Sequence, residues 1–424
     1  MRLTDSERAI LDGGSGPAKQ RAMALLVDYG RILDAECLIE TTNVAGVPGQ
    51  ATPFLRHYFE AEGGQKAIFS RFDLDSDAVF DVPMAGVRTA CLQSGVDPLG
   101  WQTLGKPEAA FVASRDAEDY ASARGVEMLR TCTPYLAGNV PAFGEHCAWM
   151  ESSAVIYCNS VLGARTNTEG RHSTSAAMLV GRIPYWGLHR PEARKASHHV
   201  RVEVPTASVF DWGMLGYFTG EVVGEAIPIL DGAFAPPDIT RIKHFGAAAA
   251  SSGGIELYHL AGITPEAPSL DAALDKACVE TLVYDAAARR RMHAALNANG
   301  SIEDVDFVML GCPHAAIEQM REAAALLDGR RVAAKLWIFT SRAVRDQAER
   351  EGVVEAIHRA GGNVLTDTCS AIGNAVPRGT RVVALDSAKQ AHYLPAMMGI
   401  EAWYGTTAEC IDAAVTGRWR GVAP

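Results

Sequence analysis

The chain has 424 residues, 48% hydrophobic and 21% charged, with a formal net charge of −11. That length exceeds what one hydrophobic core organises, so two or three domains are expected, and the balance excludes a disordered polypeptide. The acidic total speaks against nucleic acid as a partner, since phosphate backbones need a basic face, while local arginines can still hold small anions.

The N-terminal stretch MRLTDSERAILDGG carries charges where a secretory signal would be apolar. It reads as a helix that starts at Thr4, with Glu7 three residues on in a capping box, and stops at Gly13-Gly14. Pro17 to Asp34 has the pattern of a second helix. ECLIETTNVAG, Glu36 to Gly46, reads as a strand running into a Gly-rich loop. No apolar stretch is long enough to span a bilayer, so a cytoplasmic protein without a membrane partner is expected. Mixed helices and strands continue to about residue 125, and Val126 to Gly246 is richer in Gly, Pro and small polar residues. Residues 247–254, AAAASSGG, read as a small-residue turn, and Ala273 to Leu296 as one helix. There follow DFVMLG, a helix from about His314 to Leu327, VAAKLWIFT, a helix from about Ser341 to Ala360, NVLTD and RVVALD. Strands alternating with helices of that length predict βαβ units and a parallel sheet. These shifts divide the chain into an N-terminal α/β region (1–125), a central Gly/Ser-rich region (126–296) and a C-terminal α/β region (297–424).

Nine cysteines in a reducing compartment are expected as free thiols. No C-x-x-C pair is present, which disfavours zinc fingers, thioredoxin-type sites and ferredoxin-type runs. Three cysteines follow apolar runs: Cys132 in VEMLRTCTPY, Cys312 in DFVMLGCPH and Cys369 in NVLTDTCSA. In open α/β sheets, sites form beyond the carboxyl ends of strands, and Pro134 and Pro313 help stop regular structure there. Cys37 falls inside a strand pattern, Cys278 and Cys410 in helical patterns, and Cys91 in an apparent helix ending near Gly95; these four read as core thiols. Cys147 and Cys158 flank the Glu-Ser-Ser segment without a clear place. Position alone leaves the first three open between buried core thiols and the ligands of one metal site.

TCTPYLAGN, ESSAVIYCNSVLGARTN, GRIPYWGLH, GITPEAP, GCPH and TDTC, in that order, resemble the large subunit of aconitase X, a branch of the aconitase superfamily. The resemblance runs over most of the chain. It implies an aconitase-like α/β fold, a multi-domain arrangement of mostly parallel sheets around a central iron–sulfur cleft. It also implies an iron–sulfur cluster of open nuclearity on Cys132, Cys312 and Cys369, with one iron free to act as a Lewis acid. The activity implied is that of a hydro-lyase. Its substrate is either cis-3-hydroxy-L-proline, giving Δ1-pyrroline-2-carboxylate, or mevalonate 5-phosphate. In the first, the hydroxyl lies trans to the C2 hydrogen, which suits anti elimination. A phosphate would want several cationic or N–H donors, and neither a P-loop nor a Lys/Arg cluster lies in the Gly-rich segments, which favours the hydroxyproline. The family also has a small domain, fused or separate, that closes over the cluster. Both ends of this chain are taken up by large-subunit motifs, so a small aconitase X subunit is expected as partner. Related aconitases carry the base, a serine, on that small part, so no base is assigned here.

Substrate-binding candidates are Ser152 and Ser153 at a helix start, Arg165 and Asn167 after that helix, Asn43 in TTNVAGVPG, and Lys243, Ser251 and Ser252 around the Gly-Ala-Ser run. Each has a plainer reading: a helix cap, a structural ion pair, an Asn turn and a close helix–strand crossing. His314 is expected to orient the cluster rather than bind it, and Asp367 and Thr368 to wall the site. His146, His172, His189, His198 and His199 read as surface or structural, without H-x-x-x-H or HExxH spacing. Two rivals remain: a non-catalytic scaffold paralogue with core cysteines, and a redox enzyme, which the lack of a G-x-G-x-x-G after a strand disfavours.

Overall fold

The computed structural model describes residues 1–48, 64–93, 95–275 and 280–421. The N-terminal capping box forms: Thr4 Oγ1 accepts from the Glu7 amide at 3.2 Å, and the Glu7 carboxylate accepts from the Thr4 amide at 2.8 Å. It starts α1 (Asp5–Leu11), and Pro17 opens α2 (Pro17–Ile32) at a position where its missing N–H costs nothing. The strand expected over Glu36 to Gly46 is two strands, β1 (Leu38–Glu40) and β2 (Asn43–Gly46). Most of the Gly-rich loop beyond it lies outside the described residues. There follow α3 (Gly64–Ile68), β3 (Arg88–Cys91), α4 (Glu108–Ser122), β4 (Val126–Glu127), β5 (Cys147–Trp149), α5 (Ser152–Ser160), α6 (Arg171–Val180) and β6 (Arg182–Pro184).

Cys91 is thus the end of a strand, not part of a helix. Its segment pairs in parallel with β2, Cys91 opposite Gly46, and pairing with two neighbours overrides the helical look of the sequence. Strands β4, β3, β2 and β5 form one parallel sheet, so the division drawn at residue 125 falls inside it. Composition changed there because long loops begin, not because a domain does.

The second sheet comes from β7 (His198–Thr206), α7 (Val209–Val223), β8 (Pro228–Phe234), α8 (Ile239–Gly253), β9 (His259–Leu260), α9 (Leu270–Ala273), β10 (Glu280–Tyr284) and α10 (Ala286–Leu296). The run AAAASSGG is therefore no turn; it is the last two turns of α8 and its cap. Small residues let α8 lie against α7: a Cβ on Gly220 would come within 2.5 Å of the Ala249 carbonyl oxygen. The single helix expected over Ala273 to Leu296 is corrected too. ETLVY forms β10 against β7, and Asp285 then caps α10, accepting from the Ala288 amide at 2.8 Å. Cys278 lies outside the described residues.

The third sheet is built from β11 (Phe307–Ala315), α11 (Ile317–Leu326), β12 (Lys335–Thr340), α12 (Arg342–Arg350), α13 (Val353–Ala360), β13 (Asn363–Leu365), β14 (Val382–Leu385), α14 (Ala388–Met398), β15 (Glu401–Tyr404) and α15 (Thr407–Thr416). The helix expected from Ser341 to Ala360 breaks at Gly352, whose φ of 74° is left-handed.

The three larger sheets are parallel and share one order, while β1 and β6 pair antiparallel. Counting each sheet's own strands, β4-β3-β2-β5 and β9-β8-β7-β10 run 3-2-1-4, and β13-β12-β11-β14-β15 runs 3-2-1-4-5. Each has a switch point beside its first strand, where a crevice opens at the carboxyl ends. One apolar core passes from Trp149 and Ile156 through Trp212 and Phe245 to Phe307, Phe339 and Tyr404, and so joins the three sheets. No helix among the described residues is long and apolar enough to cross a membrane.

Candidate active site

Two of the switch points supply the site. In the first sheet the crevice lies between β2 and β5, and β5 runs on to Glu151, Ser152 and Ser153 at the start of α5. In the third it lies between β11 and β14. Cys312 sits in β11 past the point where that strand's regular pairing breaks, and β14 runs on to Ser387, Lys389 and Gln390 at the start of α14.

The three singled-out cysteines meet here. All are buried, and Cys312 acts electrostatically on both Cys132 and Cys369. Each sulfur accepts an N–H: Cys132 from the His314 amide at 3.4 Å, Cys312 from Gln390 Nε2 at 3.0 Å, and Cys369 from the Ile372 amide at 3.3 Å. Burial raises all three thiol pKa values, that of Cys369 to about 11. A neutral thiol wants little from an N–H donor, whereas a thiolate under a metal is stabilised by one. Among the described residues, no three His, Cys, Asp or Glu side chains close around a single ion. Three soft donors, each with an N–H aimed at its sulfur, fit a multi-iron cluster, whose separate irons hold thiolates further apart than one ion does.

Cys132 and Cys369 are placed by loops. Cys132 comes five residues after β4, and Cys369 four after β13. His314 ties the two loops together. Its Nδ1 meets Thr131 Oγ1 at 2.9 Å and its Nε2 meets the Thr368 carbonyl oxygen at 2.9 Å. Burial pulls the imidazole pKa to about 4, so the ring is neutral. Asp367 (φ 65°) is held by Arg342, which also forks onto Glu118 of α4 at 2.8 and 3.0 Å. Lys106 Nζ donates to the Gly373 carbonyl at 2.6 Å. The first domain therefore grips the Cys369 loop from both sides.

Charge is balanced by two lysines. Lys389 Nζ donates to Glu151 Oε1 at 2.7 Å and Ser153 Oγ at 2.8 Å, with Ser152 Oγ at 3.2 Å. Burial alone would lower its pKa, but Glu151 and the nearby Cys312 and Cys132 raise it, so it stays charged. Glu151 has φ 81°, a left-handed conformation costing a non-glycine residue about 1 to 3 kcal/mol, and it caps α5 by accepting from the Ala154 amide. Lys243 Nζ instead donates to the carbonyls of Pro313 (3.0 Å) and His314 (2.6 Å), and burial lowers its pKa to about 8. Of the expected substrate residues, Lys243, Ser152 and Ser153 lie beside the cysteines, bonded to protein groups, while Lys389, Glu151 and Gln390 were not among those expected. The signal for Lys389 and Gln390 was their place just past β14, at a switch point.

The other candidates are placed elsewhere or committed. Asn43 is buried and satisfied: it exchanges amide hydrogen bonds with Asn139 at 2.6 and 3.1 Å and accepts from Trp149 Nε1 at 2.8 Å. Arg165 donates to the His189 carbonyl at 3.3 Å, and Asn167 binds the backbone of Trp186 and Leu188. Ser251 donates to the Ala247 carbonyl, and Ser252 to those of Tyr217 and Ala248. Ser251 lies eight residues along α8 from Lys243, about 12 Å at the helical rise. The crossing read as helix–strand is helix–helix.

Comparison with known proteins matches three consecutive descriptions: aconitase X first domain over residues 1–192, second domain over 196–294 and third domain over 305–416. The phosphomevalonate dehydratase large subunit of Methanothermobacter thermautotrophicus is 37% identical over 405 residues, covering 95% of this chain and 96% of that one. The cis-3-hydroxy-L-proline dehydratase of Hypocrea jecorina is 32% identical over 98% of this chain but 69% of its own length. The crystal structure of Thermococcus kodakaraensis aconitase X in its holo-form superposes with a TM-score of 0.82 at 31% identity, covering 98% of this chain and all of that one.

Proposed function

This chain belongs to the aconitase X family, and on that footing we propose that it is the large subunit of a hydro-lyase acting on a small hydroxy acid. The observation that carries the reading is the meeting of Cys132, Cys312 and Cys369, each with an N–H donor, beside the third sheet's switch point. These residues would hold an iron–sulfur cluster. When bound, such a cluster supplies a Lewis acid for a substrate hydroxyl.

The chain's own residues do the rest. Lys389 offsets the negative charge of Glu151 and of the thiolates among buried groups. Ser152 and Ser153, at the start of α5, hold their hydroxyls to Lys389 in the same crevice, with the Ala154 amide already taken by Glu151. His314 and Arg342 fix the loops that carry two of the sulfurs. The base is assigned to none of these residues, and a small subunit is proposed to bring it. Ile372, whose amide reaches Cys369, leaves its side chain 47% exposed, and Leu99, two residues past the Asp97 that binds the Thr366 amide, is 70% exposed. These apolar groups rim the site where a partner would close it. All eight described cysteines are free thiols, which suits the cytoplasm.

For substrate, the leading reading is cis-3-hydroxy-L-proline, dehydrated to Δ1-pyrroline-2-carboxylate. Both lysines of the site are committed to protein groups, which leaves little for a phosphate dianion. The second reading, mevalonate 5-phosphate, is favoured by likeness: the chain is 37% identical to the Methanothermobacter large subunit and 32% identical to the Hypocrea enzyme. The test is to co-express the chain with its small subunit, reconstitute iron and sulfide without oxygen, and supply each compound separately. Loss of water from cis-3-hydroxy-L-proline alone is expected. Turnover of only the phosphate would select the second reading, and a colourless, inactive protein would leave a scaffold with core thiols.

A further inference from the structure

Away from the cysteines, a cavity of about 290 Å³ opens where the second and third domains meet. Four carboxylates line it. Asp238, at the start of α8, is neutralised by its own ion pair with Arg241. Glu318 and Glu322 sit one turn apart on α11 and face the same way. Asp386, just past β14, forms the floor. The last three have no ion-pair partner among the described residues.

Asp386 is the second, independent observation. It is 3% exposed, its Oδ2 takes a hydrogen bond from Thr407 Oγ1 at 3.2 Å, and its Oδ1 is buried without any hydrogen-bond partner. A buried carboxylate oxygen left unmet is costly, so it calls for a donor from a ligand. Lys243 attracts it from behind but gives its hydrogens to the Pro313 and His314 carbonyls. The starts of α7, α8 and α15 face the cavity with their first amides already capped by Ser208, Asp238 and Thr406, so they do not make it an anion site. The carboxylates do not close on one point, as a bare metal ion would require, and Phe210 supplies an apolar wall.

A cation that spans a distance, donates hydrogen bonds and tolerates an apolar neighbour is an alkylammonium. We propose that this cavity binds a small organic ammonium ion, with one ammonium group donating to Asp386 Oδ1 and the charge of Glu318 and Glu322 drawing it in.

The test is calorimetric titration of the full chain, in an amine-free sodium buffer, with 1,4-diaminobutane. Saturable one-to-one binding is expected, weakened at least tenfold by Asp386→Asn and at least threefold by the double variant Glu318→Gln/Glu322→Gln. Those two glutamates are exposed on α11, so the double variant decides the matter should Asp386→Asn not fold. Absence of saturable heat, or unchanged affinity in the variants that fold, overturns the proposal. So does displacement of the diamine by magnesium chloride at equal concentration, which would mark a site for inorganic cations. Binding is read without iron or turnover, so its failure says nothing against the hydro-lyase, and failure of the hydro-lyase says nothing against it.

Discussion

The first and third domains hold the same site by different means. In the third, topology does most of the placing: Cys312 belongs to the first strand of a regular sheet, and Lys389 and Gln390 open the helix after the strand beside it. In the first, regular structure stops early. Strand β4 is two residues long, and Cys132 then hangs on a loop fixed by side chains, Thr131 to Thr133 at 3.0 Å and Thr131 to His314 at 2.9 Å. Cys369 and its loop apart, the third domain's half is set by backbone hydrogen bonds that many sequences can make. The other half depends on particular hydroxyls and rings.

The largest effect tests whether the two halves form one centre. Cys132→Ser changes one atom, on the loop side only. If the three sulfurs hold one cluster, iron and sulfide content after reconstitution should collapse and activity should fall more than a hundredfold, beyond what loss of a supporting partner does. The melting temperature of the iron-free protein should hardly move. Full iron content in this variant would detach Cys132 from the centre and leave the third domain to act alone.

Next comes the joint between the halves, where Lys389 of the third domain meets Glu151 of the first. Removing one partner of a buried pair leaves the other charge unmet, so Lys389→Met should cost about 3 to 5 kcal/mol in urea unfolding. Lys243→Met strands only two carbonyls and should cost about 1 to 3 kcal/mol. Equal costs would mean that the Glu151 pair is no joint at all.

A smaller effect appears as pH dependence and belongs to the topological half. Burial raises the Asp386 pKa from 3.8 to about 6. The folded chain then keeps a proton that the unfolded chain has released. Stability should therefore fall as pH rises from about 4 to about 6, by on the order of 2 to 3 kcal/mol, and stay level above that. Lys243 and Glu322 act on the same group, so the difference between wild type and Asp386→Asn isolates it. The difference curve should be flat above pH 6 and slope below; no slope would mean that Asp386 titrates as if exposed.

The contrast between the halves also explains what the sequence disclosed. The third domain's alternating strands and helices were legible because period and length carry the signal, and Cys312 and Cys369 stood out against them. Cys132 stood out in the same way after its own apolar run, and motif likeness then set all three apart from core thiols. Glu151 was not legible, because its left-handed φ and its partner 238 residues away leave no local trace. Asn43 looked like a loop residue for the same reason: the partners that bury it, Asn139 and Trp149, are about a hundred positions distant. Cys91 misled because a four-residue strand between two neighbours takes its state from pairing rather than from its own pattern.

The smallest effect concerns AAAASSGG, where likeness to a substrate cradle and the physics of a tight helix pair compete. In α8, Ser251 bonds back to the Ala247 carbonyl, a contact that a helix interior gains little from. Ser251→Ala should therefore be neutral or stabilising by a few tenths of a kcal/mol, with activity unchanged. Ser252→Ala loses a bond to the Tyr217 carbonyl across the helix pair and should cost no more than about 1 kcal/mol. Gly220→Ala makes the opposite case. Its Cβ would fall 2.1 Å from Ser252 Oγ and 2.5 Å from the Ala249 carbonyl oxygen, so the helices must part, at about 1 to 3 kcal/mol. The ranking of the three in thermal unfolding tests packing, and kcat and KM test the cradle. Activity lost in either serine variant at an unchanged melting temperature would return these hydroxyls to the substrate.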